Sequence, residues 1–394
     1  MKNIKVKIEK IRRLFSRAGV FNGFKVLREY SARARDKGYL NEDAKVLFVT
    51  SGTGDSAMYR AYNPAEELRL HGISAYGINA DNVDILNLVD KCKIFIFHRV
   101  SYTDFIKSII EKIKKQKKEI IFETDDLVYD PKYLSQMDYF KKMGREEQAL
   151  YENGIGAEII NDPYVKVCTT TVSYLAEKLK EKNKKVFVVP NKMSQDEWDF
   201  CQNIKGKKES KDGFIRIAYA SGTLSHNKDF ASIKEALLSI LKKYSQVKLY
   251  LMGPLDIPNE FNEFKDQVEF LSFAPRKQFL RNLNKADINL APLELGNPFC
   301  ESKSALKFSE AGALGVPTVA VKNQTFSETI IDGVDGFLAG STAEWVEKIG
   351  RLIEDSELRR SMGERAREKI LKNYTNKNSH TEDYYNYLRK IIKD

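Results

Sequence analysis

The sequence predicts an α/β protein built from two units, each a parallel β-sheet covered by helices. The chain has 394 residues, more than one hydrophobic core usually organises. Short apolar runs typical of buried strands alternate with helix-compatible stretches, as in doubly wound sheets. The order strand, small-residue loop, helix occurs twice, near residues 45 and 215. Together these three observations favour two consecutive parallel-sheet units.

The first unit begins with Lys45–Thr50, a largely apolar run of the kind found in buried parallel strands. A loop of small residues follows at Ser51–Asp55, and Met58–Leu70 has the composition of a helix. Similar runs predict further strands at Ile94–Phe97, Ile120–Phe122 and Val186–Val189, with helices around residues 104–117 and 172–182.

The second unit follows a charged connector at Gln202–Asp212 and repeats the pattern of the first. A strand is predicted at Ile215–Ala220, a loop at Ser221–Thr223 and a helix at Asp229–Lys243. Later strands are predicted at Val247–Met252, Val268–Leu271 and Asp287–Leu290, with helices within residues 344–372 and 378–393. Ligands of such sheets bind beyond the carboxyl ends of the strands, so we expect two facing units with a cleft between them.

The segment Asn297–Val321 has the features of an anion site. A Gly-Asn-Pro turn opens it, a helix is predicted over Ser302–Leu314, and a buried strand over Thr318–Val321. Amides and the dipole at a helix N-terminus attract phosphate. Further donors are Lys303, Ser304 and Lys307, and Glu310 is suited to a ribose diol. The same pattern also fits an ordinary amphipathic helix with solvated lysines.

Composition excludes several classes of protein. Hydrophobic residues make up 42% and charged residues 30%, which indicates a globular rather than a disordered chain. No apolar run approaches the roughly 20 residues that span a bilayer. The four cysteines and four histidines show no metal-binding or disulfide spacing, so we expect a reduced cytoplasmic protein without a metal site.

The N-terminus carries most of the net charge. Residues 1–40 hold 12 Lys/Arg and 3 Asp/Glu, a balance of +9 out of +10 for the whole chain. One helical face carries Ile4, Ile8, Ile11, Phe15 and Ala18, and Gly19 and Asn22-Gly23 are expected to break the helix. A basic amphipathic helix can bind an anionic membrane surface, or it can pack on the body with its basic face in water. No nucleic-acid-binding module accompanies the charge.

Four segments in order resemble one known family, the GT-B glycosyltransferases called "glycosyl transferases group 1". These segments are Val188–Asn191, Ile217–Lys228, Ala286–Pro292 and Glu310–Ala320. The resemblance implies two facing Rossmann-like domains. It places a basic helical extension at residues 1–40, an acceptor-side domain at 41–191, a nucleotide-sugar domain at 192–375, and at 376–394 a terminal helix packing back on the first domain.

The resemblance also implies roles for individual residues. Lys228 falls on the family's phosphate-binding lysine, Glu310 on its ribose-binding carboxylate, and Lys307 lies one turn before Glu310. The other donor-site candidates are Gly222, Thr223, Glu301, Ser302, Lys303 and Ser304, and a phosphate or acceptor loop is expected at Gly52, Thr53 and Gly54. The donor is expected to be a nucleotide-diphospho-sugar, bound without a metal cofactor.

Three positions depart from the family pattern. Thr223 stands where an arginine is usual, and His226 or Arg276 could replace that cation. The first of two paired glutamates should fall at Ser302, but the acid is at Glu301, about 100° away on a helix. The third departure is in the first unit, where the two candidate catalytic residues lie. They are Asp125, which takes the place of the family's histidine, and His98.

Asp125 could act in two ways. As a general base it would deprotonate the acceptor, as an inverting reaction requires. As a fixed carboxylate it would stabilise an oxocarbenium-like transition state or hold an acceptor hydroxyl in a retaining reaction. An Asp-Asp pair can also cap a helix, and His98 can be a buried turn residue.

The resemblance thus implies a bacterial, metal-independent and retaining glycosyltransferase of cell-envelope polysaccharide synthesis. Its acceptor would be a glycan, a lipid-linked sugar or a cell-surface polymer at the inner face of the plasma membrane. A soluble protein acceptor such as a flagellin or adhesin is the alternative within the same class. Two alternatives lie outside the class of active glycosyltransferases. One is a non-catalytic GT-B partner subunit, and the other, which the residues support less, is a nucleotide-sugar epimerase.

Overall fold

The computed structural model describes residues 2–34, 43–52, 54–137, 140–205, 212–223 and 226–393. The strands are β1 (Val46–Thr50), β2 (Ala75–Asn79), β3 (Ile94–His98), β4 (Glu119–Glu123), β5 (Val167–Thr170), β6 (Lys185–Val188), β7 (Ile215–Ala220), β8 (Val247–Met252), β9 (Val268–Leu271), β10 (Ile288–Ala291), β11 (Thr318–Val321) and β12 (Phe337–Ala339).

The α-helices lie between these strands and at both ends of the chain. They are α1 (Lys2–Ala34), α2 (Asp55–Ala57), α3 (Asn63–Leu70), α4 (Ile85–Lys91), α5 (Asp104–Lys115), α6 (Arg145–Glu152), α7 (Ala157–Asn161), α8 (Ser173–Lys180), α9 (Gln195–Ile204), α10 (Asn227–Ala231), α11 (Lys234–Lys243), α12 (Arg276–Leu283), α13 (Pro298–Glu301), α14 (Leu306–Ala313), α15 (Gln324–Thr329), α16 (Thr342–Glu354), α17 (Ser356–Asn373) and α18 (Glu382–Lys393). A π-helical turn at Met58–Tyr62 joins α2 to α3.

Two compact units are present. The first unit comprises Arg28–Gln195, Ser302–Ser304 and Asn373–Asp394, and the second comprises Met1–Leu27, Asp196–Glu301 and Ala305–Lys372. Within the described residues, each unit contains one six-stranded sheet, with orders β2-β1-β3-β4-β5-β6 and β12-β11-β10-β7-β8-β9. The strand pairs are parallel throughout these sheets, so the predicted α/β fold class is confirmed.

Sequence patterns identified most of these strands but missed three. The missed strands are β2, β5 and β12, with sequences AYGIN, VCTT and FLA. They are short, and each contains glycine, threonine or alanine rather than a continuous run of large apolar residues. Their pairing depends on neighbouring strands, which a local pattern does not record.

The terminal helix α18 packs within the first unit. Tyr384, Tyr385 and Leu388 are buried in one hydrophobic cluster with β1 residues such as Val46 and Phe48. A buried ion pair lies nearby: Lys192 Nζ is 2.8 Å from Glu67 Oε2, and the Tyr385 hydroxyl donates to the other Glu67 oxygen over 3.0 Å. The end of the chain is therefore part of the core of this unit.

Helix α1 is kinked at Gly19, which has φ of +70°. The predicted second break at Asn22-Gly23 is wrong, because the helix continues there with the Phe15 ring packed on Gly23. Ala18 of the predicted apolar face is buried, whereas Ile8 and Ile11 are exposed. Among the described residues, no helix is both long and apolar enough to cross a bilayer.

Candidate active site

The loop after β1 leads into the helix that carries the first functional side chains. The Gly52 amide donates to Thr50 Oγ1 over 3.3 Å, and Gly54 lies immediately before α2, beside the Tyr30 ring. Thr53, the third residue of the expected phosphate or acceptor loop, lies outside the described residues. The loop therefore closes on β1 and begins the helix that includes Ser56.

Asp125 is the centre of a polar cluster at the carboxyl ends of β1, β3 and β4. Ser56 Oγ donates to Asp125 Oδ2 over 2.9 Å, and Arg99 Nε donates to Asp125 Oδ1 over 2.6 Å. His98 Nε2 lies 3.2 Å from Asp125 Oδ1 and 3.2 Å from Ser56 Oγ. His98 Nδ1 lies 3.0 Å from Oγ1 of Thr50, its partner in the strand register. We call these five residues the Asp125 cluster.

The Asp125 carboxyl group is held in its ionised form. Burial alone would raise its pKa, but the charge of Arg99, followed by the hydrogen bond and charge of His98, holds that pKa well below its ordinary value. A carboxylate with such a low pKa is a weak base. The Asp125 cluster is therefore better suited to binding hydroxyls and stabilising positive charge than to removing a proton.

A buried arginine supports the cluster from within the unit. Arg60, in the π-helical turn, is 1% exposed and makes a bidentate pair with Glu123 over 2.8 and 2.9 Å. Its NH1 group also donates to the Val189 carbonyl and to Asn191 Oδ1. The π-helical turn brings this guanidinium into the core, where it adds positive charge near Asp125.

The short segment Ser302–Ser304 groups with the first unit. Lys303 Nζ lies 2.9 Å from Asp126 Oδ2, and Ser302 Oγ donates to Asp126 Oδ1 over 3.3 Å. Asn191 Nδ2 donates to Ser304 Oγ over 2.9 Å. The contacts recorded for these three donor-site candidates are thus with residues that follow β4 and β6.

The predicted helix over Ser302–Leu314 is wrong in its first turn, because α14 begins at Leu306. Glu301 instead ends the short helix α13, and its Oε1 accepts the Gly296 amide over 3.3 Å. Gly296 itself has φ of +76°, a left-handed turn that favours glycine. The 100° offset expected between Glu301 and Ser302 does not apply, since the chain between α13 and α14 is not helical.

The second unit has its own constellation at the carboxyl end of β7. Lys307 Nζ donates to the Ala220 carbonyl over 2.5 Å and lies 5.0 Å from the centre of the Tyr219 ring. Both partners fix the ammonium beside the loop Ser221–Thr223 without carrying a charge. This loop, which we call the β7 loop, is therefore adjacent to Lys307, a lysine expected to add positive charge near the diphosphate.

Gly253 allows the β7 loop to approach the end of β8. A Cβ atom at this position would come within 2.0 Å of the Ser221 carbonyl oxygen, and its φ is +87°. At Gly222, by contrast, a Cβ atom would meet nothing within 4 Å. Gly222 is therefore exposed, and packing does not require a glycine at this position.

Glu310 is one helical turn beyond Lys307 and is ion-paired. Arg276 NH1 lies 2.6 Å from Glu310 Oε1, and Arg276 Nε lies 2.8 Å from Glu197 Oε1. Arg276, one of two candidates to replace the missing arginine, is thus held between two carboxylates. The other predicted phosphate lysine, Lys228, is exposed on α10.

Sequence patterns missed Ser56 and Arg99, which belong to the Asp125 cluster, and Arg60, which supports that cluster. Ser56 directly follows the small-residue loop after β1, so its position in the first turn of a helix was the available signal. Arg60 lies one turn later, and only the tertiary fold shows that it faces Glu123 rather than water.

Comparison with known proteins identifies the second unit. Residues 202–369 match the family model described as "Glycosyl transferases group 1". This segment is therefore similar to the group 1 glycosyltransferases. The family resemblance read from the sequence is therefore confirmed for this part of the chain, including the β7 loop, Lys307 and Glu310.

The chain is similar to a curated protein, the N-acetyl-alpha-D-glucosaminyl L-malate synthase of Bacillus anthracis. The two sequences are 30% identical over 184 residues, which is 44% of this chain and 48% of that protein. The match therefore spans about half the length of the curated relative.

Solved glycosyltransferase structures share the fold over most of the chain. The HepE protein of Anabaena, solved in complex with UDP, has a TM-score of 0.57 at 14% identity and covers 88% of this chain and 100% of its own. The pneumococcal O-GlcNAc transferase GtfA, solved with UDP and GlcNAc, has a TM-score of 0.54 at 14% identity and covers 78% of this chain and 58% of its own. The chain has the GT-B fold.

Proposed function

We propose that the protein transfers a sugar from a nucleotide-diphospho-sugar to an acceptor hydroxyl, with retention of anomeric configuration and without a metal. The proposal rests on a segment similar to the group 1 glycosyltransferases, joined to a second parallel-sheet unit. A hydroxyl acceptor on a glycan, a lipid-linked sugar or a cell-surface polymer fits this chemistry.

The observation that carries the proposal is the fixed carboxylate of Asp125. Arg99, His98 and Ser56 all bind it, and its pKa is held low as described above. Inversion needs a base that takes the acceptor proton. Both ring nitrogens of His98 already lie within hydrogen-bond distance of side chains, so the Asp125 cluster supports retention instead.

In the retaining step, one bond to the anomeric carbon forms as another breaks. The acceptor oxygen bonds to the anomeric carbon on the face from which the diphosphate leaves, as the bond from that carbon to the phosphate oxygen breaks. The acceptor proton passes to the departing diphosphate, so no protein base is required. The carboxylate of Asp125 would stabilise the positive charge that develops on the sugar.

The second unit would bind the donor. Lys307 and Lys228 provide positive charge for the diphosphate, and Glu310 provides a carboxylate for the ribose hydroxyls. UDP-sugars are the first donors to test, because several structures with this fold were solved with UDP. UDP-N-acetylglucosamine has priority among them, since the curated relative is named for an N-acetylglucosaminyl product.

We also propose that the N-terminal helix holds the enzyme on an anionic membrane surface. Helix α1 carries several exposed large apolar side chains on both sides of its kink, and Phe21 is 87% exposed. These side chains are Ile8, Ile11, Val20, Phe21 and Phe24. In the sequence, residues 1–40 carry a net charge of +9, from 12 basic and 3 acidic residues. Aromatic and basic side chains on one helix are the combination that interfacial helices use.

A donor screen tests the function. Melting temperature is measured with UDP-, GDP-, dTDP- and ADP-glucose and with UDP-N-acetylglucosamine, and release of nucleoside diphosphate is then followed with the stabilising donor. We expect turnover in the presence of EDTA, and its loss in Lys228→Ala and Glu310→Ala. Turnover that is unchanged in both variants would contradict the donor site, and no turnover despite donor binding would favour a non-catalytic partner subunit.

Vesicle binding tests the membrane proposal. The full chain should sediment with vesicles containing phosphatidylglycerol and not with pure phosphatidylcholine, and Phe21→Ser/Phe24→Ser should abolish this binding. A matched control is Phe214→Ser, which changes an exposed phenylalanine outside α1. Equal sedimentation of the double variant and the wild type would overturn the proposal and favour a soluble acceptor.

A further inference from the structure

One buried guanidinium in the first unit connects the ends of two strands that are not neighbours in the sheet. Arg60 Nε and NH2 donate to the two carboxylate oxygens of Glu123, at the end of β4. The NH1 group of Arg60 donates to the Val189 carbonyl over 2.8 Å and to Asn191 Oδ1 over 2.9 Å, just beyond β6. Since β5 lies between β4 and β6, the Arg60 side chain links two strand ends that another strand separates.

Stability alone does not account for an ion pair at this depth. The side chains of Arg60 and Glu123 are 1% and 2% exposed. Taking two charges out of water costs about as much free energy as their attraction returns, so apolar side chains of similar volume stabilise a core equally well or better. The hydrogen bonds that Arg60 makes therefore call for a reason other than stability.

The amide group of Asn191 extends the network from Arg60 to Ser304. A guanidinium only donates hydrogen bonds, so the amide oxygen of Asn191 must face Arg60. The amide nitrogen then faces Ser304, whose Oγ accepts its proton over 2.9 Å. Because Ser304 accepts from Asn191, its own hydroxyl proton is directed elsewhere. Asn191 is buried, and all three residues belong to the first unit.

The charge of Arg60 also acts on Asp125, two residues beyond Glu123. Burial alone would raise the pKa of Asp125; Arg99 and His98 lower it most, and the charge of Arg60 lowers it further. The bidentate pair also fixes Glu123, and with it the start of the chain segment that carries Asp125. Arg60 thus supports the candidate catalytic carboxylate as well as a hydroxyl group among the donor-site candidates.

We infer that Arg60 is a positioning residue, whose hydrogen-bond network holds both Asp125 and Ser304 in place for sugar transfer. The inference rests on the proposed function and deepens it, because it names one residue on which groups for both substrates depend. Arg60 is too deeply buried to touch a substrate itself. Its effect on the reaction passes through Glu123 to Asp125 and through Asn191 to Ser304.

Removing both charges of the buried pair tests whether Arg60 serves the reaction or only the fold. Arg60→Met alone leaves Glu123 buried without its cation, and we expect it to destabilise the protein. Arg60→Met/Glu123→Leu should recover most of that stability, measured by urea unfolding. We nevertheless expect its kcat with the stabilising donor to fall about 10- to 100-fold and its donor KM to rise, because Asp125 and Ser304 lose their support.

A double-mutant cycle tests the branch through Asn191. We expect Asn191→Leu and Ser304→Ala each to raise the donor KM about 3- to 10-fold with little change in kcat, and the double variant to raise it no further. The matched control is Arg69→Met, which changes an arginine of the same unit that donates to the Ala75 carbonyl. It should keep wild-type kinetics.

Three results would overturn the inference. They are a wild-type kcat in folded Arg60→Met/Glu123→Leu, losses that add up in the double variant of Asn191 and Ser304, and a fall of kcat in Arg69→Met as large as that of the Arg60 pair variant. A wild type that neither binds nor turns over any of the donors would contradict the proposed function itself.

Discussion

Asp125 in the first unit and Lys307 in the second are both fixed by short contacts, but by partners of different kinds. Charged groups fix Asp125, chiefly Arg99 at 2.6 Å. A backbone carbonyl and the face of a tyrosine ring fix Lys307. Charged partners keep the carboxylate ionised and weakly basic, whereas the carbonyl and the ring position the ammonium beside the β7 loop.

The two kinds of partner suit the two substrates of a glycosyl transfer, which differ in charge. A sugar or glycan hydroxyl is neutral, and a cluster that balances its own charges can bind it through oriented hydrogen bonds. A diphosphate is anionic, and cations held by neutral groups are suited to it. The predictions below start with the largest expected effect.

The largest effect should follow from Asp125→Asn, which keeps the shape of the side chain and removes its charge. We expect the turnover number to fall about 100- to 1000-fold, because the developing positive charge on the sugar loses its partner. Steady-state kinetics with the stabilising donor measure this fall, with Asp199→Asn, an exposed aspartate, as control. Full activity of Asp125→Asn would show that the charge of the Asp125 carboxylate does not contribute to catalysis.

The buried pair of Lys192 and Glu67 should show how strongly the first unit depends on balanced charge. Lys192→Met leaves a buried carboxylate without its cation, and we expect a loss of about 3 kcal/mol in the free energy of unfolding. Replacing both residues, as Lys192→Met/Glu67→Leu, should restore most of that stability. Urea unfolding compares the three proteins, and a double variant no more stable than Lys192→Met would contradict this account.

Lys307→Met should weaken the donor side by a smaller factor. We expect kcat/KM for the donor to fall about 10- to 50-fold, since one cation near the diphosphate is lost while the apolar part of the side chain remains. The control is Lys242→Met, an exposed lysine on α11. An equally small decrease of kcat/KM in both variants would mean that Lys307 binds the Ala220 carbonyl but does not contribute to donor binding.

The smallest effect should appear in the acid stability of the protein. Asp125 has a lower pKa in the folded than in the unfolded chain, so its contribution to stability is present above about pH 4 and is lost as the pH falls through its folded pKa. In Asp125→Asn the free energy of unfolding should therefore decrease less between pH 5 and pH 3. Urea unfolding at these two pH values measures the free energy of unfolding of the wild type and of Asp125→Asn. Equal decreases in the two proteins would contradict the low pKa of Asp125.

Most of the fold could be predicted from the sequence, because most buried strands are recognisable from the apolar pattern of their own residues. Runs such as Ile215–Ala220 and Val247–Met252 are apolar except for one basic residue each, and the structure has strands with those same limits. Strands such as β5, with sequence VCTT, gain their stability from both neighbours and leave no local signal.

The candidate site was less accessible to sequence reasoning. Asp125, His98 and Glu310 could be named because each follows a strand or matches a family segment, and Lys307 because it lies one helical turn before Glu310. Their partners could not, since Ser56 and Arg99 reach Asp125 only once three strands align. Likewise, the contact between Lys303 and Asp126 joins residues 177 positions apart.

The stereochemistry of the reaction tests the central claim most directly. The sugar that the enzyme transfers or releases from its preferred α-linked donor is observed by proton NMR during the first turnovers, before mutarotation. A fixed, weakly basic Asp125 predicts that the product keeps the α configuration of the donor. A product that first appears in the β configuration would require a base at the acceptor and would contradict this account.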